Sequence, residues 1–534
     1  MVSIPPAALT NAPGKNVIAL NRMTFGVTSS ELDHVNKNGL TGFIEDQLNP
    51  QEDDEKVNQK ITSATLHIKY DAKEDKYPAV DEDRPLSLWN STLDKLWPLA
   101  DYKTNMAGQE RSRPLEEVRV VSWIKAVYSR WQLRELLTEF WHNHFNVNPD
   151  KDTKIAVTFP IYDRDVIRKN CFGNFRMFLE DVAKSTSMQY YLDNASSKAS
   201  PANENYAREL FELHTLGSDN YYNSLYNRWR EVPGAISGKP IGYIDEDVYE
   251  AARSFTGWTI ADGATTGKGE NFANTGSFHY HDGWHDNYQK RVLGVEFDPN
   301  QPPLADGNKV LDLVAFHPAT AKHICQKLCR RLISDTPPPN VVKGATGVWI
   351  RNKDNPHQIR ETVRYILLSK EITQGWGLKV KTPFELIASL LRVTEADFTP
   401  SSSLTGFMNQ MGYLHYHWPT PTGHPDRADY WLSSSTMLSR WNLAYGLLNN
   451  QQNKLALYDF KAQMPAEFKT LAEGVNFWTE RILQRAKPEE YTDALSKYLA
   501  RGKSANLAVS TADLEKIIPS LIGILSMTPD FQLK

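Results

Sequence analysis

The sequence has few cysteines and no long apolar run. Its three cysteines, Cys171, Cys325 and Cys329, cannot form a disulfide framework in a chain of 534 residues. Cys325 and Cys329 are one helical turn apart and His323 is near them, but no second ligand pair at zinc spacing is evident. We therefore expect buried thiols. No stretch approaches about 18 consecutive apolar residues, so we expect no membrane-spanning helix.

A strong excess of charge of one sign is also lacking. The chain has 60 basic and 64 acidic residues and no long basic run, so we expect no nucleic-acid partner. The first residues, 1–6, contain no charged segment leading into an apolar one, so no signal peptide is predicted in this sequence. Gly-rich phosphate loops, Gly-x-Ser-x-Gly elbows and nucleotide fingerprints are absent. Their absence disfavours kinases, hydrolase-fold esterases and Rossmann dehydrogenases.

Aromatic residues, in contrast, are abundant. The chain contains 14 Trp and 23 Tyr. Aromatic faces line sugar-binding clefts as readily as protein cores, so this composition points weakly to carbohydrate. The aromatic and histidine residues concentrate in three stretches, 218–243, 278–290 and 415–431, which we expect to be loops around a cleft.

The apolar spacing predicts a mainly α fold, a large irregular multi-helix domain with a small antiparallel β appendage. We divide the chain into short N-terminal helices at 1–50, a charged loop or surface insertion at 51–84, and a central helical region at 85–340. A C-terminal helical region at 341–534 is expected to pack on it. The β appendage is predicted at about 258–282, where Gly-rich turns adjoin the alternating residues 278–281.

Two predicted helices carry a polar stripe beside an apolar face. In 203–217, Asn205, Glu209 and Glu212 fall at i, i+4 and i+7, and Arg208 can pair with a glutamate one turn away. In 133–145, a stripe that contains Glu139 and His142 adjoins the apolar positions. We predict that these two helices pack together and face a common cavity. The alternative is a fully satisfied structural network.

Five motifs are similar to those of one bacterial family. They are Ala19–Gly26, Phe140–Phe145, Asn203–Gly217, Val248–Trp258 and Lys381–Leu386. In this order they resemble the "domain of unknown function 1800" family over nearly the whole chain. The resemblance implies little chemistry, because that family is named for its lack of a settled function. Many relatives look exported, so the chain could be a mature periplasmic or secreted form, and its location and oligomeric state stay open.

The resemblance also directs attention to two other segments. Relatives carry His-Asp followed by Gly and Lys, which maps onto His285, Asp286 and Lys290 here. Where relatives tend to have Gly-Trp-Pro, this chain has Gly423, His424 and Pro425. If the relatives' Trp stacks on a ligand, this chain's ligand or its binding geometry differs.

The first functional hypothesis is cleavage of a polysaccharide or oligosaccharide. A glycoside hydrolase needs two carboxylates about 5–10 Å apart, and packed helices about 8–10 Å apart could supply them. A polysaccharide lyase is an equal alternative, with His142 or His285 as base and Arg208 neutralising a uronate. The predicted catalytic residues are Glu209, Glu212, Glu139, Arg208 and His142. The predicted substrate-binding residues are Asn205, His285, Asp286, Lys290, Trp258, His424 and Trp431.

Two other functions stay open. Glu139 and His142 form one Glu-x-x-His unit, which di-iron bundles use twice. We predict no cofactor, with a single divalent metal at Glu139 and His142 as the alternative, which would make the chain a metal-dependent helical enzyme. The remaining alternative is a non-catalytic carbohydrate-binding or structural protein.

Overall fold

A computed structural model describes residues 12–52, 54–266, 269–400, 402–449, 455–465, 468–501, 504 and 506–534. The side chains of residues 402, 403 and 407 are not described. Residues 1–11, where the sequence predicts no signal peptide, lie outside the described part.

The N-terminal part consists of three helices and a hairpin. They are α1 (Lys15–Met23), α2 (Ser29–Leu48), α3 (Glu55–Ser63), β1 (Thr65–Tyr70) and β2 (Val80–Pro85). The segment 51–84, predicted as a charged loop or surface insertion, holds α3 and an antiparallel strand pair. The charged side chains are exposed and pair across the strands, as Lys69 does with Asp81 at 2.5 Å. Their polarity concealed the alternation that marks a strand.

The central part contains most of the shorter elements. Its helices are α4 (Leu93–Leu96), α5 (Gly108–Tyr128), α6 (Gln132–His144), α7 (Thr153–Ile161), α8 (Phe175–Lys184), α9 (Thr186–Tyr191), α10 (Asn205–Glu209), α11 (Asp245–Ser254), α12 (Ala305–Ala315), α13 (Pro318–Leu332) and α14 (Pro339–Arg351). Two π-helical segments are Tyr162–Arg168 and Leu210–His214. The strands are β3 (Trp258–Asp262), β4 (Asn274–Tyr280), β5 (Lys290–Val292) and β6 (Val295–Phe297).

The C-terminal part is again helical. Its helices are α15 (Gln358–Leu367), α16 (Pro383–Val393), α17 (Ser402–Gln410), α18 (Ala428–Trp431), α19 (Ser434–Asn449), α20 (Leu471–Leu483), α21 (Glu489–Leu499), α22 (Thr511–Met527) and α23 (Pro529–Gln532). One short strand pair joins β7 (Asp397–Phe398) to β8 (Ala456–Leu457).

Single-turn 3₁₀ helices punctuate the loops. They are Trp97–Ala100, Pro149–Lys151, Asn194–Ser196, Ser218–Asn220, Asn223–Leu225, Trp229–Glu231, Ala235–Ser237, Asp282–Trp284 and Lys370–Thr373. The sheets in the described residues are all two-stranded. The mainly α prediction is confirmed, and β3 with β4 forms the predicted antiparallel appendage.

One large hydrophobic core connects the N-terminal, central and C-terminal helices, and α3 with the hairpin packs in a smaller cluster beside it. The large core extends from Ala19 in α1 to Leu533 near α23 and crosses the predicted boundary at 340. Helix α6 lies inside this core, where Leu133, Leu137 and Trp141 are fully buried. None of the described helices is long and apolar enough to cross a membrane.

The predicted helix at 203–217 changes its geometry halfway. It is α-helical to Glu209 and π-helical over Leu210–His214. The wider π turn interrupts the spacing of about 3.6 residues per turn on which the predicted stripe depends. The chain leaves this helix at Gly217, which has a φ of +88°. A Cβ there would lie 2.6 Å from His323 Nδ1, so α13 packs too closely for any larger residue.

Candidate functional site

A cavity of about 260 Å³ lies between α6, α13 and the loop that follows Met411. We call it the α6–α13 cavity. Its lining residues are Glu139, Phe140, Asn143, His144, Lys327, Arg330, Arg331, Thr382, Thr422, Gly423, His424, Pro425 and Asp426. At about 30 Å³ per water molecule, the cavity holds a group about the size of one sugar ring.

The loop is held against α6 by a glycine. Gly423 has a φ of +70°, and a Cβ there would lie 2.2 Å from the backbone oxygen of Asn143. The next residue is anchored to the same helix, since the backbone N–H of His424 donates to Asn143 Oδ1 at 3.2 Å. The loop therefore forms one wall of the cavity at a position set by α6.

His424 lines this wall as a neutral imidazole. Its ring stacks on Tyr413 with a centroid distance of 4.1 Å, and its Nε2 lies 3.2 Å from the backbone oxygen of Leu414. Because a carbonyl oxygen only accepts, Nε2 carries the proton and Nδ1 is left as an acceptor. Nδ1 is buried and has no partner among the described residues. Burial lowers the pKa of His424 to about 4, which keeps the ring neutral.

Another wall presents a lysine with no carboxylate partner in the part of the chain that the structure describes. Lys327 Nζ donates to His144 Nδ1 at 2.8 Å, and His144 Nε2 donates to the backbone oxygen of His214 at 3.1 Å. Burial and the nearby Arg330 guanidinium lower the pKa of Lys327 to about 8. At pH 7 about one tenth of such an amine is neutral, so it can act as a base. Burial and Lys327 also hold the pKa of His144 well below its usual value.

Arg330 is a second cation without a counter-ion. It lines the cavity and has no hydrogen-bond or ion-pair partner in the described part of the chain. The other charged lining residues are paired: Asp426 with Lys379 at 2.9 Å, and Glu139 with Arg331 at 2.8 Å. Lys327 and Arg330 therefore give the cavity an unbalanced positive charge, which favours an anionic ligand.

Glu139 belongs to a buried ionic network. Arg331 bridges Glu139 to Glu385, which it contacts at 2.7 Å, and Lys534 also binds Glu385. Tyr413 and Asn143 donate to the second oxygen of Glu139. Burial raises the pKa of Glu139 even though Arg331 opposes the shift. Glu139 is thus placed in the cavity wall by a network that also fixes α13 and α16.

Helix α6 meets the segment 203–217 at the π-helical end of that segment. His144 contacts the backbone of His214, and the Phe145 and His214 rings are 5.2 Å apart. The α6–α13 cavity is lined by no residue of 203–217. The expectation that the second wall comes from 203–217 is therefore corrected for this cavity. The wall comes from α13, whose Lys327 contacts His144 of α6.

Glu209 remains a candidate acid in its own environment. It is half-buried and has no hydrogen-bond or ion-pair partner among the described residues. Burial and the neighbouring Glu212 raise the pKa of Glu209 to about 7. Its predicted charge partner points elsewhere, since Arg208 contacts Glu204 at 3.1 Å and Asp245 at 3.4 Å.

Asn205 lies at the start of the same helix and is exposed. Its side-chain amide donates to Asp193 at 3.5 Å. Glu212 is half-buried and lies two residues from His214, at the π-helical end of this segment. The structure thus keeps the predicted residues of 203–217 on one segment, beside the α6–α13 cavity rather than in its wall.

His142 is directed away from the α6–α13 cavity. Its Nε2 lies 2.9 Å from Asp163, which also binds Arg168 at 2.9 Å. Glu139 and His142 are three residues apart on α6 and have separate partners, Arg331 of α13 and Asp163 of the π-helical segment. Among the described residues, no group of three or more His, Cys, Asp or Glu side chains is arranged to hold a metal. All three cysteines are buried.

The predicted residues near the β appendage form a separate polar cluster. Lys290 Nζ contacts Asp306 at 2.7 Å and His285 Nε2 contacts the same carboxylate at 3.2 Å. Asp286 is paired with Arg253 at 2.7 Å. These contacts join the segment before β5 to α11 and α12, and their side chains are buried. These contacts explain His285, Asp286 and Lys290 as residues that anchor the fold.

The two predicted tryptophans are also buried. Trp258 is fully buried, and a Cβ on Gly307 would lie 2.5 Å from its ring, so α12 packs directly on it. Trp431 is 1% exposed, and its Nε1 donates to the backbone oxygen of Pro425 at 2.8 Å. Trp258 therefore supports the β appendage, and Trp431 supports the cavity loop beneath His424.

Sequence reasoning missed the cations of α13. Lys327, Arg330 and Arg331 occur at the end of an amphipathic helix, where basic residues are common because they complement the helix dipole. The helix dipole alone is enough to explain why the sequence has basic residues here. Only the fold shows that Arg330 and Lys327 line a cavity and have no counter-ion among the residues described.

The chain was compared with known proteins. No curated protein and no solved structure matches it. The family model described as "Protein of unknown function (DUF1800)" matches residues 18–533, nearly the whole chain. The motifs that suggested this resemblance include the end of α6, where His144 contacts Lys327. The chain therefore belongs to the family of proteins of unknown function DUF1800.

Proposed function

We propose that this chain is a carbohydrate-active enzyme that acts on an acidic polysaccharide or oligosaccharide in the α6–α13 cavity. The observation that carries the proposal is the pair of cations Lys327 and Arg330, which have no counter-ion among the described residues, in a cavity about the size of one sugar ring. A uronate residue carries one carboxylate and several hydroxyl groups. It would supply a counter-ion for Arg330 and a donor for Nδ1 of His424.

Aromatic side chains beside the cavity support a sugar ligand. Trp418 is half-exposed, and its ring centroid lies 4.9 Å from that of His424. Tyr430 is 46% exposed and lies edge-on to Trp418 at 5.9 Å. A second sugar of the same polymer could stack on these faces outside the cavity. An inorganic anion has no flat apolar face that could stack on these rings.

The reaction that fits these groups is β-elimination at the uronate. The Arg330 guanidinium neutralises the carboxylate, which makes the proton on the adjacent carbon more acidic. Neutral Lys327 takes that proton, the bond to the leaving glycosidic oxygen breaks, and a carbon–carbon double bond forms. The Lys327 ammonium then gives its proton to the leaving oxygen. His144 orients the amine, because its Nδ1 accepts a hydrogen bond from Lys327.

The test uses a panel of uronate polysaccharides and neutral polysaccharides. We expect the native chain to release ends from a uronate polymer and to form unsaturated products, detected by their ultraviolet absorbance. Lys327→Met should lower the rate about 100-fold or more, as loss of a general base does. Arg330→Gln should weaken the reaction on acidic substrates. Lys322→Met is the matched control, since this exposed lysine lies on the same helix.

The outcomes separate the remaining functions. Elimination that survives in Lys327→Met would contradict the assigned base. Binding of uronate polymers by the native chain without cleavage would favour a non-catalytic carbohydrate-binding protein. If the native chain neither binds nor cleaves any polysaccharide of the panel, a structural protein is the remaining alternative.

A glycoside hydrolase centred on Glu209 is the second candidate. It is favoured by one observation, the pKa of about 7 that burial and Glu212 give to this half-buried carboxyl. A general acid with that pKa is protonated in a large fraction at neutral pH. A hydrolase would release reducing ends without unsaturated products. Glu209→Gln should then abolish cleavage while Lys327→Met leaves it intact, the reverse of the result expected for elimination.

A further inference from the structure

A second cavity, of about 580 Å³, lies on the other side of α6. It is enclosed by α3, α5, α6 and the π-helical segment Tyr162–Arg168, and we call it the α5–α6 cavity. Five cations line it: Lys125, Arg134, Arg164, Arg168 and Lys169. Only two carboxylates, Glu52 and Asp54, line it with them. The proposed reaction at Lys327 uses none of these groups.

The π-helical segment brings part of this charge to the cavity. Arg168 binds Asp163 at 2.9 Å and Glu135 at 2.6 Å, so its charge is balanced within the core. Arg164 pairs with its neighbour Asp165 at 2.8 Å. π turns widen a helix locally and are frequent at functional sites. Here the side chains of Arg164 and Arg168, both in the wider turn, line the cavity.

Two other cations are left without adequate partners. Lys125 is half-buried and has no hydrogen-bond or ion-pair partner among the described residues; its amine lies 5.3 Å from the Trp89 ring centre. Arg134 reaches Glu135 at 3.5 Å and the fully exposed Glu52 at 3.9 Å, and its buried Nε has no hydrogen-bond acceptor. Both cations come from different helices and line one space.

One of the two lining carboxylates, that of Asp54, is already engaged. The Asp54 carboxylate accepts from the Ser129 hydroxyl at 2.9 Å and from the Arg130 backbone at 3.0 Å. Its other oxygen caps α3. Burial and Arg168 lower the pKa of Lys125 to about 8, which is the expected response of an amine that lacks a counter-ion.

We propose that the α5–α6 cavity binds a small tetrahedral oxyanion, the group carried by a phosphate or sulfate ester. Such a group brings up to two negative charges and several acceptor oxygens, which match an unpaired ammonium and an unsatisfied guanidinium. The cavity volume falls within the usual range of about 300–1,000 Å³ for small-molecule sites. It therefore has room for the organic part of a small ester beside the anion.

Binding can be measured by titration calorimetry with inorganic phosphate and, separately, with sulfate, on the full chain at constant ionic strength with chloride as the reference. We expect saturable binding of at least one of the two anions and none of chloride. Lys125→Met should weaken it about tenfold or more, because one charge-assisted contact is lost. Lys56→Met is the matched control, an exposed lysine on α3 that does not line this cavity.

Lys327→Met provides the decisive comparison, because the α6–α13 cavity is also cationic. Retained anion binding in Lys327→Met together with weakened binding in Lys125→Met supports the proposal. Loss of binding in Lys327→Met with full binding in Lys125→Met places the anion in the other cavity and overturns it. Absence of saturable binding, or equal weakening by Lys56→Met, overturns it as well. Each variant's own thermal unfolding without anion identifies a failure to fold.

Discussion

Arg330 and Arg331 are adjacent in sequence and have opposite environments. Arg331 is 3% exposed and bridges the buried carboxylates of Glu139 and Glu385. Arg330 lines the α6–α13 cavity without a partner in the described part of the chain. When one member of a buried ion pair is replaced by an apolar residue, its partner is left as an uncompensated charge. Replacement of an unpaired cation leaves no such charge. The two arginines can therefore separate stability from ligand binding.

This contrast gives a prediction for a matched pair of substitutions. Arg331→Met should lower the free energy of unfolding by about 3–5 kcal/mol, because Glu139 and Glu385 lose a buried partner. Arg330→Met should change it by less than about 0.5 kcal/mol. Urea unfolding of both variants beside the native chain measures the difference. Equal losses would contradict the assignment of Arg330 as a ligand-binding residue without a structural partner.

Glu209 gives a prediction about pH. Its pKa in the folded chain is raised from 4.5 to about 7, so the folded state binds more protons than the unfolded state between these values. Stability from this group is therefore present below about pH 4.5 and is lost as pH rises through about 7. The Glu209→Gln variant has no ionisable side chain at this position, so it does not lose stability in this way as the pH rises. At pH 8 the variant should be more stable than the native chain by about 1 kcal/mol, a value reduced for solvent screening of a half-buried group.

The measurement is urea unfolding of both proteins at pH 4.5 and at pH 8. At pH 4.5 the two should differ little, since the carboxyl is then largely protonated in the folded state. Glu204→Gln is the control, because Glu204 directly precedes the same helix, is partly exposed and pairs with Arg208. A larger gain at pH 4.5 than at pH 8 would reverse the expected sign and reject the raised pKa.

At the scale of elements, the cavity loop depends on how closely it approaches α6. Gly423 and Gly412 have nearly the same φ, +70° and +69°. A Cβ on Gly423 would overlap the Asn143 backbone oxygen at 2.2 Å, while a Cβ on Gly412 would meet nothing within 4 Å. The two positions therefore differ in packing and share their backbone strain.

We expect Gly423→Ala to destabilise the chain by about 3 kcal/mol, through left-handed strain and displacement of the loop from α6. Gly412→Ala should cost only the strain, about 1 kcal/mol. Thermal unfolding gives both values. Gly423→Ala should also weaken binding of uronate oligosaccharides, because His424 moves with the loop. Equal effects of the two substitutions would show that the loop is not fixed by its contact with α6.

The elements also show how far sequence patterns reach. Helix α6 was predicted within two residues at each end, because its apolar spacing is regular and its core positions are buried. The hairpin of β1 and β2 was missed, because charged pairs on exposed strands hide the alternation. The π turn at Leu210–His214 was missed as well, since periodicity assumes one helical geometry throughout.

The candidate site was predictable only in part, for a related reason. Glu139 was identified from a local pattern and His424 from the family resemblance, and both line the cavity. Lys327 comes from a helix more than 180 residues away from His144, and their contact depends on tertiary packing. His285 and Lys290 look like site residues in sequence, but Asp306 on α12 pairs with both. A sequence gives the residue types, and the packing decides which of them keep a free charge.

At the scale of the whole molecule, one core joins the N-terminal and C-terminal helices. Arg22 of α1 donates to the backbone oxygens of Glu371 and Gln374. Residues near the end of α23 pair with the segment before α16, where the Lys379 N–H donates to the backbone oxygen of Lys534 at 3.0 Å. These contacts cross the boundary at 340 that the sequence suggested. The two regions are therefore expected to unfold together.

A substitution in α22 tests this cooperativity. Leu525 is fully buried, and Leu525→Ala should lower the free energy of unfolding by about 2–5 kcal/mol. If the core is one unit, hydrogen exchange measured by mass spectrometry should speed up in α1 and α16 by the same factor as in α22. Leu507→Ala, at a position that is 37% exposed, is the control and should change exchange little. Faster exchange confined to α19–α22 would show that the C-terminal helices form a separately unfolding unit.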